Sequence, residues 1–172
     1  AQHCKVSSPN TLITSGGLGT MGFEVPAALG AKMGRPDKTV WSVAGDGGFQ
    51  MTMCDLATAV ENNIDVKFAI LNNGNLGMVH QWQDLFYDKD YFATEYSGNP
   101  DFVKLAAAYG IPGLRVTKPS EVADAIQQAM ETSGPVVIDF VVKDNENVYP
   151  FIPAGESVNE MLEQPPANGG VA

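Results

Sequence analysis

The sequence predicts an α/β fold: a doubly wound, mostly parallel sheet with helices on both faces. Short apolar runs that read as strands alternate along the chain with longer segments that read as helices, as crossovers between parallel strands require. Two of those runs end in short polar motifs, where an open parallel sheet collects its ligand-binding residues. The 172 residues, 44% of them apolar, suffice for one domain with a proper core.

The elements follow in order. Ala1 to Lys5 reads as the end of a helix, which makes the chain look like a fragment beginning inside its first helix. Ser7 to Asn10 reads as a loop and Thr11 to Thr14 as a short strand. The glycine-rich stretch Ser15 to Gly22 then enters a helix from Phe23 to Met33, with Pro26 in its first turn, where a missing N–H is tolerated. Thr39 to Ala44 reads as a buried strand, Phe49 to Asn62 as a helix and Val66 to Leu71 as a second strand. A short helix is expected over Leu76 to Leu85, and Tyr87 to Pro100 reads as an irregular loop of the kind that covers a site. Asp101 to Tyr109 and Ser120 to Thr132 read as helices, Gly113 to Val116 and Pro135 to Val142 as strands. The expected organisation is a ligand-binding domain over 1–142 and a Pro- and Gly-rich tail over 143–172, with a helical candidate at Ser157 to Glu163.

Composition excludes several classes of partner. With a net charge of -10 and no basic run, nothing neutralises the phosphates of a nucleic acid or an anionic membrane surface. Cys4 and Cys54 form no Cys-x-x-Cys and suggest no disulfide framework, so they read as small buried residues of a cytoplasmic protein. No run is apolar and long enough to span a bilayer, and no signal-peptide pattern is present.

Chemistry concentrates in two motifs. Gly45-Asp46-Gly47 follows the first strand and Asn72-Asn73 the second, so both face the crevice beyond the strands' carboxyl ends. Mg²⁺ takes six oxygens, usually from one or two protein groups, water and the phosphates of its ligand. Asp46, the Asn73 amide oxygen and the Asn75 carbonyl supply that donor set, while Gly45, Gly47 and Gly48 let backbone N–H groups approach phosphate oxygens. Either motif alone reads equally as an ordinary turn. A rival reading comes from Gly17 to Gly22, which matches Gly-x-Gly-x-x-Gly between a strand and a helix, the dinucleotide fingerprint of an NAD-binding module. That fingerprint would need Asp46 as its ribose-binding acid, and it leaves Asn72-Asn73 unexplained.

The paired motifs resemble the signature of thiamine diphosphate enzymes, Gly-Asp-Gly followed after a helix and a strand by Asn-Asn. Leu71 to Trp82, Thr14 to Phe23 and Val148 to Gly155 are similar to the catalytic subunit of the acetolactate synthase family, over nearly the whole chain. The resemblance implies its C-terminal, thiamine diphosphate-binding domain. It implies Asp46, Asn73 and Asn75 as metal ligands and Gly47 and Gly48 as diphosphate contacts. Gly19 and Met21 would lie against the aminopyrimidine and Met78 and Val79 beside the thiazolium, with Gly77 a further cofactor contact. Gln81 and Trp82 would line the substrate channel. Gln2-His3 invites assignment to a family Gln-His pair, but ungapped alignment places it after that pair, so His3 is not a site residue. His80 reads as a surface or supporting residue, and Glu24 stands where the family has a small one. The implied reaction decarboxylates pyruvate and joins the two-carbon unit to a second pyruvate or to 2-oxobutyrate, for branched-chain amino-acid biosynthesis. Its activating Glu belongs to a separate pyrimidine-binding domain across a homo-oligomer interface. The family's FAD domain is not expected here, and the resemblance leaves room for a regulatory subunit. Other 2-oxo-acid decarboxylases and carboligases share the clamp and remain the alternative.

Overall fold

A computed structural model describes residues 4–144 and 146–165, and Gln2 and His3 lie outside the described residues. The chain divides into two compact units, one of residues 1–71 and 101–141, the other of residues 72–100 and 142–172.

The first unit carries α1 (Glu24–Gly34), β1 (Val40–Gly45), α2 (Asp46–Thr52), α3 (Leu56–Glu61) and most of β2 (Val66–Asn72). After the intervening second-unit segment come α5 (Phe102–Ala108), β3 (Gly113–Val116), α6 (Val122–Glu131) and β4 (Val136–Val141). The four strands run in the order β1-β2-β4-β3. β1 pairs in parallel with β2, Val40 opposite Val66 and Gly45 opposite Leu71, and β3 pairs in parallel with β4.

The strand residues sort by parity into two cores, because successive side chains point to opposite faces. Ala44, Val66, Phe68, Ile70 and Val137 pack with Val25 and Leu29 of α1, Phe49 of α2, Leu56 of α3 and Phe102 of α5. Val136 and Ile138, flanking Val137, pack instead with Val116 and with Ala125 and Ala129 of α6. Helices therefore cover both faces of the sheet, as the sequence predicts. Phe49 holds the larger core together: its ring meets Phe68 edge-on at a centroid distance of 6.3 Å and Phe102 at 5.7 Å.

Buried charges are paired, as their desolvation requires. Lys67, 3% exposed on β2, donates to the Thr132 and Gly134 carbonyls, both at 2.7 Å, and pairs with Asp65. Arg115 on β3 stands opposite Asp139 on β4 and donates to it at 3.0 Å and to Asp101 at 2.6 Å. Asp101 also caps α5, accepting the Lys104 N–H.

Several expectations are corrected. Thr11 to Thr14 forms no strand: no ladder partner exists for it among the described residues, and the Thr11 hydroxyl donates locally to the Ser8 carbonyl. Cys4 and Lys5 are not helical, and both cysteines are exposed rather than buried. The helix expected from Phe49 begins at Asp46 and is broken by a 3-10 turn over Met53–Asp55. The expected tail helix shrinks to a 3-10 turn at Val158–Glu160, closed by a reciprocal Ser157–Glu160 cap.

Two outcomes test this core. Phe49→Ala removes a fully buried ring from three contacting elements and should lower the unfolding free energy by about 3–5 kcal/mol in urea titrations. The Lys104 N–H, and after it Arg115, hold the Asp101 carboxyl below its ordinary value of 3.8. A lowered carboxyl contributes stability above its unfolded value that is lost as pH falls through its folded value. Asp101→Asn should therefore lower the melting temperature at pH 7, and the difference from the parent should close below about pH 4.

Candidate functional site

The glycine-rich loop of the first unit is built around Ser15, whose carbonyl accepts the Gly19 N–H at 2.8 Å and whose hydroxyl oxygen accepts the Thr20 N–H at 3.1 Å. Gly22 turns the loop into α1 with φ +79°, and an added Cβ would stand 3.0 Å from Met51 Cβ. The Gly22 carbonyl accepts the Thr52 hydroxyl at 3.0 Å, which docks the loop onto α2. Met21 stays half-exposed at the loop's end.

Gly45 ends β1 in an extended conformation, and Asp46 opens α2 at once. Asp46 is only 1% exposed, and its Oδ1 accepts the Gly47 N–H at 3.0 Å. The Gly-Asp-Gly motif is thus the first turn of a helix, where backbone N–H groups have no intrahelical partner. A Cβ at Gly48 would meet the Glu24 carboxylate, so any side chain there would require the Glu24 side chain to move aside. The residue at which the chain departs from the resembled family therefore packs against a proposed diphosphate contact.

In the second unit, Asn73-Gly74-Asn75 forms a turn pinned by the loop opposite. The Leu76 N–H donates to the Thr94 carbonyl at 2.8 Å and the Tyr96 N–H to the Gly74 carbonyl at 2.9 Å, making an antiparallel bridge between Asn75 and Glu95. The Asn73 amide donates to Asn75 Oδ1 at 3.0 Å, and the Asn75 amide to the Asp144 carbonyl at 2.8 Å.

The turn leads into α4 (Gly77–Phe86), which has two distinct faces. Met78, Val79 and Trp82 are each more than 40% exposed, whereas His80, Gln81 and Leu85 are buried. His80 is no surface residue: its ring stacks on Tyr91 at 4.2 Å and 6°, and its Nε2 lies 3.4 Å from Glu95. Gln81 spends both ends of its amide on one tail residue, donating to the Val148 carbonyl at 3.0 Å and accepting the Val148 N–H at 2.8 Å. Trp82, Phe86 and Tyr87 form one wall of a groove of about 490 Å³, with Pro153, Ala154, Glu156, Glu160 and Leu162 of the tail opposite.

Sequence reasoning missed Asp84. Its Oδ1 accepts the Tyr91 hydroxyl at 2.9 Å and its Oδ2 the Asn147 amide at 3.0 Å. The only local signal is that Asp84 follows Gln81 by three positions and so lies on the same side of the helix.

A hard cation takes oxygen donors rather than nitrogen or sulfur. Among the described residues no three His, Cys, Asp or Glu side chains gather to hold a metal. Asp46, Asn73 and Asn75 offer carboxylate, amide and carbonyl oxygens, the set Mg²⁺ takes when phosphates complete its shell.

Residues 1–140 match the family described as thiamine pyrophosphate enzyme, C-terminal TPP binding domain. The chain belongs to this family. The match decides between the two readings of Gly17 to Gly22 against a dinucleotide-binding module. Over 166 residues the chain is 50% identical to the acetolactate synthase large subunit of Corynebacterium glutamicum, covering 94% of this chain and 26% of that one. It is 43% identical over 164 residues to the acetolactate synthase isozyme 2 large subunit of Escherichia coli, covering 95% of this chain and 30% of that one. A solved structure, the thiamine diphosphate-dependent 4-hydroxybenzoylformate decarboxylase of Rhodococcus jostii RHA1, is similar with a TM-score of 0.68 and 30% identity, covering 74% of this chain and 24% of that one. The chain thus spans about a quarter of the length of these relatives.

The Tyr91 phenol offers a direct check on the α4 contacts. Partial burial, and next the bond to Asp84, push it from 10.0 up to about 12. A raised group stabilises the fold fully below its unfolded value and loses that contribution as pH rises through its folded value. In an ultraviolet titration of the five tyrosines, Tyr91→Phe should remove a step near pH 12, and Asp84→Asn should shift that step downward without restoring 10.0.

Proposed function

We propose that this chain is the thiamine diphosphate-binding part of an acetolactate synthase, which decarboxylates pyruvate and joins the two-carbon unit to a second 2-oxo acid, pyruvate or 2-oxobutyrate. The observation that carries the cofactor reading is the register of β1 and β2: Gly45 stands opposite Leu71, so the Gly-Asp-Gly and Asn-Asn motifs both follow the carboxyl ends of two adjacent parallel strands. The preference for a carboligase over another decarboxylase rests on identities of 43% and 50% to acetolactate synthases, against 30% to the benzoylformate-type enzyme.

On this reading Asp46, Asn73 and the Asn75 carbonyl hold Mg²⁺, and Gly45, Gly47 and Gly48 bring N–H donors to the diphosphate. Met21 braces the cofactor's pyrimidine end through its flexible thioether side chain. Gly19 serves the same end, Met78 and Val79 the thiazolium, and Gly77 is a further cofactor contact. Trp82 borders the second substrate. Bound thiamine diphosphate would supply the carbanion stabilisation that amino-acid side chains lack. Activation would come from a Glu of a pyrimidine-binding domain in a homo-oligomer. No helix among the described residues is long and apolar enough to cross a membrane.

Titration calorimetry tests the clamp. Thiamine diphosphate should bind only with Mg²⁺ present, and NAD should not bind. Asp46→Ala should weaken thiamine diphosphate binding by about a hundredfold or more, as loss of a direct metal ligand does at least what loss of an outer partner does. Unchanged affinity in that variant would refute the assignment.

A further inference from the structure

Gln81 and Asp84, one helical turn apart on α4, both hydrogen-bond the tail. Gln81 takes the Val148 N–H and gives its own amide hydrogen to the Val148 carbonyl, a two-point contact that a strand neighbour would otherwise make. Asp84 divides its carboxylate: Oδ2 takes Asn147 of the tail, while Oδ1 takes Tyr91 of the loop and lies 3.7 Å from Lys89. The loop is further held by the Thr94 hydroxyl donating to Gln83 Oε1 at 2.8 Å and by the Gln83 amide donating to the Phe92 carbonyl at 3.1 Å.

Just beyond Val148, Phe151 reaches the Phe86 ring at a centroid distance of 6.4 Å and pairs its backbone with Leu162. Pro153 and Ala154 follow as the wall facing Trp82. The tethers at 147 and 148 thus hold the tail five residues before that wall, and the Phe151 contacts hold it between those tethers and the wall.

We propose that Asp84, acting with Gln81, is a positioning residue that sets the separation between the tail and Trp82, and through it the discrimination between second 2-oxo acids. The functional half rests on the reading that Trp82 borders the substrate. Asp84 touches no substrate. It satisfies a tail donor and a loop donor with one charge, so slack in either segment is transmitted to the other.

The test uses the active holoenzyme containing this chain. Asp84→Asn keeps the shape but turns an N–H₂ toward one of the two donors, and Asn147→Ala cuts only the tail arm. In both, hydrogen exchange at the Val148 amide should accelerate about tenfold. The KM for the second 2-oxo acid should rise about three- to tenfold, while kcat and thiamine diphosphate affinity stay within about twofold. Asp84→Asn combined with Asn147→Asp again sets a donor against an acceptor and should return both readouts toward the parent, a rescue that loss of folding could not give. Unchanged Val148 exchange in Asp84→Asn overturns the proposal. So does faster exchange with an unaltered 2-oxo acid preference, if Trp82→Leu changes that preference. If Trp82→Leu leaves the preference unaltered, the substrate reading of Trp82 is what fails.

Discussion

Phe49 is the contact on which the first unit depends. It is the first large side chain after the glycines of the Gly-Asp-Gly-Gly run, and it is fully buried between Phe68 of β2 and Phe102 of α5. With its ring fixed there, α2 has little freedom about its axis, and the three residues before Phe49 must form the helix's first turn against the end of β1. Asp46 is buried for that reason, and Gly48 lies beside the Glu24 carboxylate of α1. A core contact thus dictates the orientation of the polar turn, and a scaffold that holds its functional groups on packed elements keeps them more precisely than a loop would.

The sheet register has its own fasteners. Lys67 sits at the start of β2 and is saturated by carbonyls at Thr132 and Gly134, just before β4. Arg115 and Asp139 face each other directly across β3 and β4. Sliding either strand by one residue would leave a buried charge unpaired, a penalty of several kcal/mol. The apolar residues would tolerate such a slip less sharply, because β2 and β4 are apolar on both faces. Charge here specifies register where hydrophobic pattern alone would not.

Most of the first unit was legible in the sequence because its signals are local. Apolar runs bounded by glycine and proline located β1, β2, β3 and β4, and Pro26 located the first turn of α1. The misreadings share a cause. Thr11 to Thr14 has the composition of a strand, but a strand exists only with a partner to hydrogen-bond, and composition does not report one. The Gly-Asp-Gly run has the composition of a loop, and tertiary packing through Phe49 overrides that propensity. The exposed Cys54 lies in the 3-10 interruption that the expected continuous helix does not contain. Asp46 and Asn73 were singled out by the spacing of their motifs, each following an apolar run. The partners of Gln81 and Asp84 lie 67 and 63 residues away along the chain, beyond any periodicity argument.

The two units are held by different physics. The first buries aromatic and branched side chains from both faces of a sheet, so its parts cannot open singly without exposing the whole core. The tail of the second is attached largely by hydrogen bonds from α4 and the preceding turn, at Asp144, Asn147 and Val148, with Phe86 and Phe151 as the aromatic contact. Each such bond contributes only about 0.5–1.5 kcal/mol net, somewhat more where a carboxylate accepts. Local opening of the tail should therefore require far less free energy than opening of the sheet, the arrangement expected of a segment that admits and releases ligands. On α4, Met78 and Trp82 stay more than 40% exposed, and Phe86 keeps part of its surface open while its ring packs near Phe151.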